Sequence, residues 1–556
     1  MLPLALAPIV SAFSYCLLTY SLLFFTYLLL NMTRRFNTVG ACQSEQHYFL
    51  DARERLPQVK TLVEQSGCFW VYGPRQIGKT TAMALWAKEL TKHGRYAALL
   101  VSAASLAESV FEDGAIAEES FLYELREAAS NLPEDCQPPD WGYQIVGQRI
   151  RAALATWAEV SPRPLVLFID DVETLTGRSL TLLLRQLWSG FTHRSSPFPH
   201  AVALIGLRDV NSIPVDSAVW TPGSLFHKFR TATLALQSFT LEEVANIYQT
   251  HTDATGQLFT LEAVDRAFEL TQGQPWLVNA LAQYAIEHNR KGPIESLHIE
   301  AAATHLLHHQ NQSFTLPIDH LSTRLMQFQS LLEPVLAQRV LVSSTTLQVL
   351  DLVATGLCRL DPAGGLMIAN PLYRQVVMQQ LALPAIASLG FLDILWLNVD
   401  GTVNINNIWD TFVRLWQTQG DALIQTVLYE SIAPYLAVFS FFHRLTQPRG
   451  SLKPTYEFQH QQMQLTMTLT TPSISMDMVV QVMVWHDGYP DPIQQGLAQL
   501  DLLLRQSSTR GANAPSEPVA GMIIIDQRRD RLPCNERTRL ESITTSTGMS
   551  LPMIRG

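Results

Sequence analysis

"CFWVYGPRQIGKTTAMALW", residues 68–86, decides how this chain is read. Gly73 and Gly78 stand five positions apart, with Lys79 and Thr80 directly after, the spacing G-x-x-x-x-G-K-[ST]. Glycines at those positions let backbone N–H groups curl around phosphate oxygens. The lysine reaches the outer phosphates and the threonine hydroxyl is a ligand for Mg²⁺. Gly73, Pro74, Arg75, Gln76, Ile77, Gly78, Lys79, Thr80 and Thr81 are therefore the candidate phosphate cradle. The flanks agree with this. "GCFWVYG" is an apolar, aromatic-rich strand, and "KTTAMALWAKELTKHG" places apolar residues at helical spacing. The positive end of a helix dipole then points at the loop. The expected ligand is a nucleotide with Mg²⁺.

Downstream, "RYAALLVSAAS" reads as a second buried strand, and helical patterns occupy about residues 107–130 and 143–159. "RPLVLFIDDVETL" is a continuous apolar strand ending in Asp170 and Asp171. Such a run is buried on both faces, as in a parallel sheet. It is an element of the Walker B type, in which Asp170 holds the Mg²⁺ shell and Asp171 positions the attacking water. Two more strands follow, "AVALIGLRDV", which ends in Arg208 and Asp209, and "TATLALQSF". Strands alternating with helices imply a doubly wound α/β domain whose ligand lies beyond the carboxyl ends of the strands.

"TLEEVANIYQTHT" opens a helical subdomain with Thr240 as N-cap and Glu243 three residues later, a capping-box pattern. Within that subdomain "TQGQPWLVNALAQYAIEH" places Gly273 and Pro275 just before a helix, with Trp276 and Leu277 as packing residues. Farther on, "GLCRLDPAGGLMIANPLYRQVV" sets a turn between two short apolar runs. This predicts a hairpin and a small winged-helix domain. The last region mixes amphipathic helices ("NNIWDTFVRLWQTQ", "LYESIAPYLAVFSFFHRL", "DPIQQGLAQLDLLLRQ") with strands ("MQLTMTLTTP", "SMDMVVQVMVW", "PVAGMIIIDQ"). Beyond Asp526 the tail has little periodicity.

With 47% apolar and 16% charged residues, the 556-residue chain has the composition of a globular protein of several domains. A net charge of −10 gives no general nucleic-acid footprint, which leaves only a local basic groove as a route to that partner. The six cysteines (16, 42, 68, 136, 358 and 534) include no C-x-x-C pair, which argues against a zinc site or a disulfide framework. Residues 1–33 carry no charged side chain, and the apolar run from Ile9 to Leu30 is followed by Arg34 and Arg35. As a helix that run measures about 33 Å, enough to cross a bilayer core. The expectation is a single-pass membrane segment with the bulk of the chain cytoplasmic by the positive-inside rule. A true start at Met32 would instead give a soluble cytoplasmic protein.

Several motifs occur in an order that resembles bacterial AAA-like ATPases related to the STAND group. They are "RRFNTVG…HYFLDARERL", "YGPRQIGKTTAM", "LVLFIDDVETLTG", "ALIGLRDV", "TGQLF", "GQPWLVNALA" and "ANPLYRQVV". Those ATPases are often fused to a C-terminal nuclease-like domain of the PD-(D/E)xK type. The resemblance implies that Arg53 and Glu54 border the adenine, that Arg208 is the sensor facing the γ-phosphate, and that Pro275 touches the nucleotide from the lid. It also marks a departure, because the family has Glu where this chain has Asp171. Asp is shorter by one C–C bond, about 1.5 Å, and a misplacement of about 1 Å can cost roughly 10²-fold. Binding with slow turnover is expected, with a bridging water or Glu173 as substitutes.

In the C-terminal half the resemblance lays the family's metal-binding strands on "YEFQHQQMQ" and "QVMVW". Gln464 then stands for Asp, Gln481 for Glu and Met483 for Lys. Nuclease chemistry of that type needs carboxylates for Mg²⁺ and a lysine near the attacking water. No lysine follows Lys453, and Glu430, the matching helical acid, is left without partners. A catalytically inactive, restriction-endonuclease-like α+β domain is implied. The expected organisation is a transmembrane segment (1–33), a P-loop core (34–239), a helical lid (240–316), a winged helix (317–385) and the degenerate nuclease-like domain (386–556). The expected function is a slow ATPase that switches conformation, with the last domain as output surface. The alternatives are a membrane-tethered, non-hydrolysing ATP sensor or scaffold, and an ATP-regulated nucleic-acid binder. An unidentified protein partner or self-association is also expected.

Overall fold

The computed structural model describes residues 34–556 except 107–113, 143, 176, 193–196, 210–231, 309–325, 338–345, 362–364, 390–397, 399–402, 428–430, 447–449, 458–461, 471–474, 509–518 and 547. The expected membrane segment and Glu430 lie outside the described residues. Among the described residues no helix is long and apolar enough to cross a membrane. The chain divides into two compact units. One runs to Ala303 and includes Ala354–Gly356, and the other comprises Thr304–Val353 and Leu357–Gly556. Compactness thus joins the expected lid to the P-loop core, and the expected winged helix to the C-terminal region.

The first unit opens with two short paired strands, β1 (Arg35–Phe36) and β2 (His47–Tyr48). Its main sheet has five strands: β3 (Gly67–Tyr72), β4 (Ala97–Ser102), β5 (Leu165–Asp170), β6 (Ala201–Gly206) and β7 (Ala232–Ala235). They lie in the order β4-β5-β6-β3-β7, and every pair is parallel. Every residue of β5 and β6 is buried, as their unbroken apolar runs require. The strand period of two sends alternate residues to opposite faces. Leu165, Leu167 and Ile169 pack with Phe121 of α3 (Gly114–Ala129), Trp157 of α4 (Arg149–Val160) and Leu183 of α5 (Gly177–Thr192). Val166 and Phe168 pack with Val63 of α1 (Gln58–Gln65) and Met83 of α2 (Lys79–Lys92). Each such side chain contributes on the order of 1.5–3 kcal/mol by leaving water.

The lid helices are α6 (Leu241–Thr255), α7 (Leu261–Thr271), α8 (Pro275–His288) and α9 (Ser296–His308). The predicted capping box is formed. Thr240 Oγ1 accepts from the Glu243 N–H at 3.1 Å, and the Glu243 carboxylate accepts from the Thr240 N–H at 2.9 Å. Gly273 has φ +71°, and a Cβ there would meet the Phe239 carbonyl oxygen at 1.8 Å. Only glycine fits this turn, where the Phe239 N–H donates to the Gly273 carbonyl at 2.8 Å.

The second unit contains α10 (Gln329–Leu336), α11 (Leu347–Ala354), the hairpin of β8 (Cys358–Asp361) and β9 (Gly365–Ile368), and α12 (Pro371–Ser388). The predicted hairpin is present, with Cys358 opposite Ile368. Two further helices, α13 (Ile405–Gln425) and α14 (Ala433–Thr446), precede a mixed sheet. Its strands are β10 (Gly450–Glu457), β11 (Gln462–Thr470), β12 (Ser475–Trp485), β13 (Val519–Asp526), β14 (Arg539–Thr544) and β15 (Ser550–Arg555). Their order is β10-β11-β12-β13-β15-β14, and α15 (Ile493–Ser508) connects β12 to β13.

Two expectations are corrected in this unit. "YEFQHQQMQ" does not form one strand. It spans the end of β10 and the start of β11, which are antiparallel with Glu457 opposite Gln462. The tail read as aperiodic contributes two strands, β14 and β15, and β15 pairs in parallel with β13. Five of the six residues of β14 are exposed, so the strand carries no apolar alternation that a sequence reading could detect.

Candidate nucleotide site

The loop between β3 and α2 is built by two glycines used in different ways. Gly73 is confined, since a Cβ there would stand 2.8 Å from the Leu236 carbonyl oxygen and 3.1 Å from Ile77 Cγ2. Gly78 takes φ +97° as the N-cap of α2, a conformation that turns the backbone into the helix and that L side chains rarely adopt. Gln76 also has positive φ, at 58°. Lys79 is buried, and its ammonium donates to the carbonyls of Gly73 at 2.9 Å and Pro74 at 3.0 Å. Burial pulls its pKa downward, against the pull of Glu173, Asp170 and Asp171. A buried cation folded onto its own loop is a donor set suited to phosphate oxygens.

β6 lies between β3 and β5, yet all three run the same way, so the loop and the end of β5 share one edge of the sheet. There the Thr80 hydroxyl donates to Asp170 Oδ2 at 2.6 Å, while the Asp171 N–H donates to Asp170 Oδ1 at 2.9 Å. Two adjacent hard oxygen donors, Thr80 on α2 and Asp170 at the end of β5, fit Mg²⁺, which takes few protein ligands and keeps water. The Asp170 carboxyl is pushed upward in pKa by burial, with Thr80 opposing. A divalent cation would offset that cost.

Asp171 is engaged from the neighbouring strand. It adopts φ +59°, and its Oδ2 accepts from the Ser102 hydroxyl at 2.6 Å. Ser102 is opposite Asp170 in the β4–β5 register, and its oxygen also accepts from the Ala104 N–H at 3.1 Å. Three residues past Asp170, in the short turn Val172–Thr174, Glu173 Oε2 is buried without a hydrogen-bond partner among the described residues. Arg208 lies just beyond β6, where its carbonyl accepts from Trp70 Nε1 at 2.7 Å. The same edge therefore carries Lys79, Thr80, Asp170, Asp171 and Arg208.

Arg53 is not brought to the loop. Its guanidinium pairs with Asp51 and with Glu89 at 3.1 Å, and its side chain is 54% exposed. Glu89 lies ten residues beyond Lys79 on α2, about 15 Å along the helix axis. Arg55 is the organised arginine of that segment, set over the Phe239 ring at 4.7 Å and bonded to Glu243 at 2.8 Å. Pro275 is buried at the first turn of α8, where the N-cap Gln274 accepts from the Leu277 N–H at 2.6 Å. Leu277 is fully buried and Trp276 nearly so, in keeping with packing roles.

A strap linking loop and lid, spanning residues 34–48, was not legible from periodicity. The Cys42 N–H donates to Thr81 Oγ1 at 3.0 Å, immediately after the loop. At the other end, the carbonyls of Asn37 and Thr38 accept from Asn279 Nδ2 and Trp276 Nε1, both at 2.8 Å. Phe36 anchors the strap among Tyr48, Tyr248, His251 and Phe259, with ring centroids between 4.9 and 6.3 Å away. The contacts of Phe36, Asn37 and Thr38 with the lid connect residues more than 200 positions apart, beyond the reach of any local pattern.

In the second unit Gln464 and Gln481 are direct cross-strand partners on β11 and β12. Gln464 Nε2 donates to Thr466 Oγ1 at 3.1 Å, and Gln481 Nε2 donates to Gln499 Oε1 of α15 at 2.9 Å. Met483 is buried among Leu500, Met522 and Ile524. Among the described residues no group of three or more His, Cys, Asp or Glu is arranged to hold a metal.

No protein-family model and no curated protein matches the chain. Among solved structures it is similar to a Walker-type ATPase of Pyrococcus abyssi (12% identity, 62% of this chain and 99% of that one, TM-score 0.42). It is also similar to the Holliday junction branch migration motor RuvB of Thermotoga maritima (15% identity, 58% and 93%, TM-score 0.33). A third similarity is to Cdc6p of Pyrobaculum aerophilum (15% identity, 62% and 96%, TM-score 0.34). The first unit itself combines a five-stranded parallel α/β sheet, a glycine loop between β3 and α2, and the Thr80–Asp170 pair at the end of β5.

Proposed function

We propose that the chain binds ATP with Mg²⁺ and uses the nucleotide to switch the conformation of its lid. The observation that carries this reading is Lys79, buried inside its loop with the Gly73 and Pro74 carbonyls as its acceptors among the described residues, beside the Thr80–Asp170 pair. The loop amides and Lys79 would hold the phosphates, and Thr80 and Asp170 the Mg²⁺. Bound Mg²⁺ would supply charge neutralisation at the β- and γ-phosphate oxygens. The 34–48 strap supports the switch reading, because it ties Thr81 to α8 through backbone hydrogen bonds. A change at the loop would be transmitted to the lid along it. Turnover is slow in this reading, since Asp171 is short and engaged by Ser102, which leaves the water to a substitute for it.

Calorimetric titration of the full chain with MgATP tests the proposal directly. Lys79→Ala should abolish binding or weaken it at least about 100-fold, because a charge-assisted contact to phosphate is lost. Unchanged affinity in that variant would refute the assignment. The second reading, a non-hydrolysing ATP sensor or scaffold, is favoured by the Ser102–Asp171 bond, and a turnover measurement separates the two. The second unit is proposed to be an output surface without nuclease chemistry, since neutral amides occupy Gln464 and Gln481. Tethering through residues 9–30, with the bulk of the chain cytoplasmic, is proposed from their uncharged sequence.

A further inference from the structure

The nucleotide site holds a carboxylate that the loop and its Mg²⁺ pair leave unused. The family's water-positioning place is taken by Asp171, but the Ser102 hydroxyl engages that carboxylate at 2.6 Å. Asp171 is fixed there by more than one contact. Ser102 is held in turn by the Ala104 N–H, and the Asp171 backbone adopts the left-handed conformation at φ 59° with its N–H on Asp170. Turning Asp171 toward a phosphate would require breaking the Ser102 bond. Glu173 is not engaged from another strand: its carboxylate takes a hydrogen bond from its own backbone, and its Oε2 is buried and accepts no hydrogen bond among the described residues. It belongs to the turn Val172–Thr174, which leaves β5 at the edge of the sheet where the loop lies. Among the acids acting on the buried Lys79 ammonium, Glu173 exerts the largest attraction, ahead of Asp170 and Asp171. A buried carboxylate oxygen without a donor costs free energy unless something completes it.

We propose that Glu173, rather than Asp171, accepts the proton of the hydrolytic water, and that this buried oxygen is where the water is held. The proposal rests on the ATP-binding reading above. In the step, the water oxygen bonds to the γ-phosphorus as the bond to the β–γ bridging oxygen breaks. One water proton passes to the Glu173 carboxylate, and ADP and inorganic phosphate are the products. Asp171 keeps a positioning role through Ser102, bracing the end of β4 against the end of β5.

The test uses the full chain as wild type, Glu173→Gln and Asp171→Asn, measuring MgATP affinity by calorimetry and hydrolysis in single turnover. Loss of a general base costs about 10²–10⁴-fold. Glu173→Gln should therefore slow hydrolysis at least about 100-fold with affinity within about threefold of wild type. Asp171→Asn should lose less rate than Glu173→Gln, because Ser102 already engages that carboxylate. The groups facing Glu173 are Lys79 from α2 and Asp170 and Asp171 at the end of β5, and burial raises the Glu173 carboxyl. The wild-type rate should thus fall on acidification at a higher pH than an ordinary carboxylate gives, and this acid limb should be absent from any residual rate of Glu173→Gln. The proposal is overturned if Glu173→Gln hydrolyses at the wild-type rate, if it loses affinity instead of rate, if Asp171→Asn is the variant that loses hydrolysis, or if wild type binds without hydrolysing. Absence of MgATP binding by the wild type would refute the ATP reading itself.

Discussion

Gly273→Ala should uncouple the lid from the sheet domain without touching the phosphate loop. Gly273 has φ +71°, and a left-handed alanine costs about 1–2 kcal/mol. The added Cβ would stand 1.8 Å from the Phe239 carbonyl oxygen, so the two segments must part. Parting them forfeits the 2.8 Å hydrogen bond from the Phe239 N–H to the Gly273 carbonyl, worth about 1 kcal/mol net. Together these give about 2–3 kcal/mol, which is roughly a 30- to 150-fold shift in the local opening equilibrium. Amide hydrogen exchange on peptides covering 236–244 and 270–280 reads that equilibrium directly. A control is at hand next door. Gln272 has φ 49°, so Gln272→Gly should relieve strain and leave exchange unchanged or slower. Exchange within threefold of wild type in Gly273→Ala would refute the idea that this contact fixes the start of α8.

Two other outcomes are expected. Full-length chain should stay in the membrane fraction after an alkaline carbonate wash, and chain starting at Met32 should not. Recovery of full-length protein in the soluble fraction would count against the proposed anchor. Incubation of the chain with single- and double-stranded DNA or RNA in Mg²⁺ or Mn²⁺ should give no cleavage, since Gln464 and Gln481 cannot offset a divalent charge. Cleavage that disappears with Asp477→Ala or Glu430→Ala would overturn that expectation.

Features whose chemistry is local were legible in the chain alone. A phosphate loop needs two glycines, a lysine and a threonine within eight residues, and residues 73–80 supply them in one stretch. The β5 strand, the Thr240–Glu243 cap and the β8–β9 hairpin likewise depend on neighbours in the chain, so their patterns predicted them. Tertiary structure alone decided what depends on distant partners. The insertion of β6 between β3 and β5 is a pairing choice with no local signal. β14 is a strand only because β15 completes its backbone hydrogen bonds, and its own side chains are mostly exposed. The strap of residues 34–48 is fixed by α8 and by Thr81, and Arg53 is drawn onto Glu89 instead of the loop. The contacts of Asp171 and Glu173 differ for the same reason. Both are acids two positions apart, and which of them is engaged across the sheet was set by a serine on the neighbouring strand.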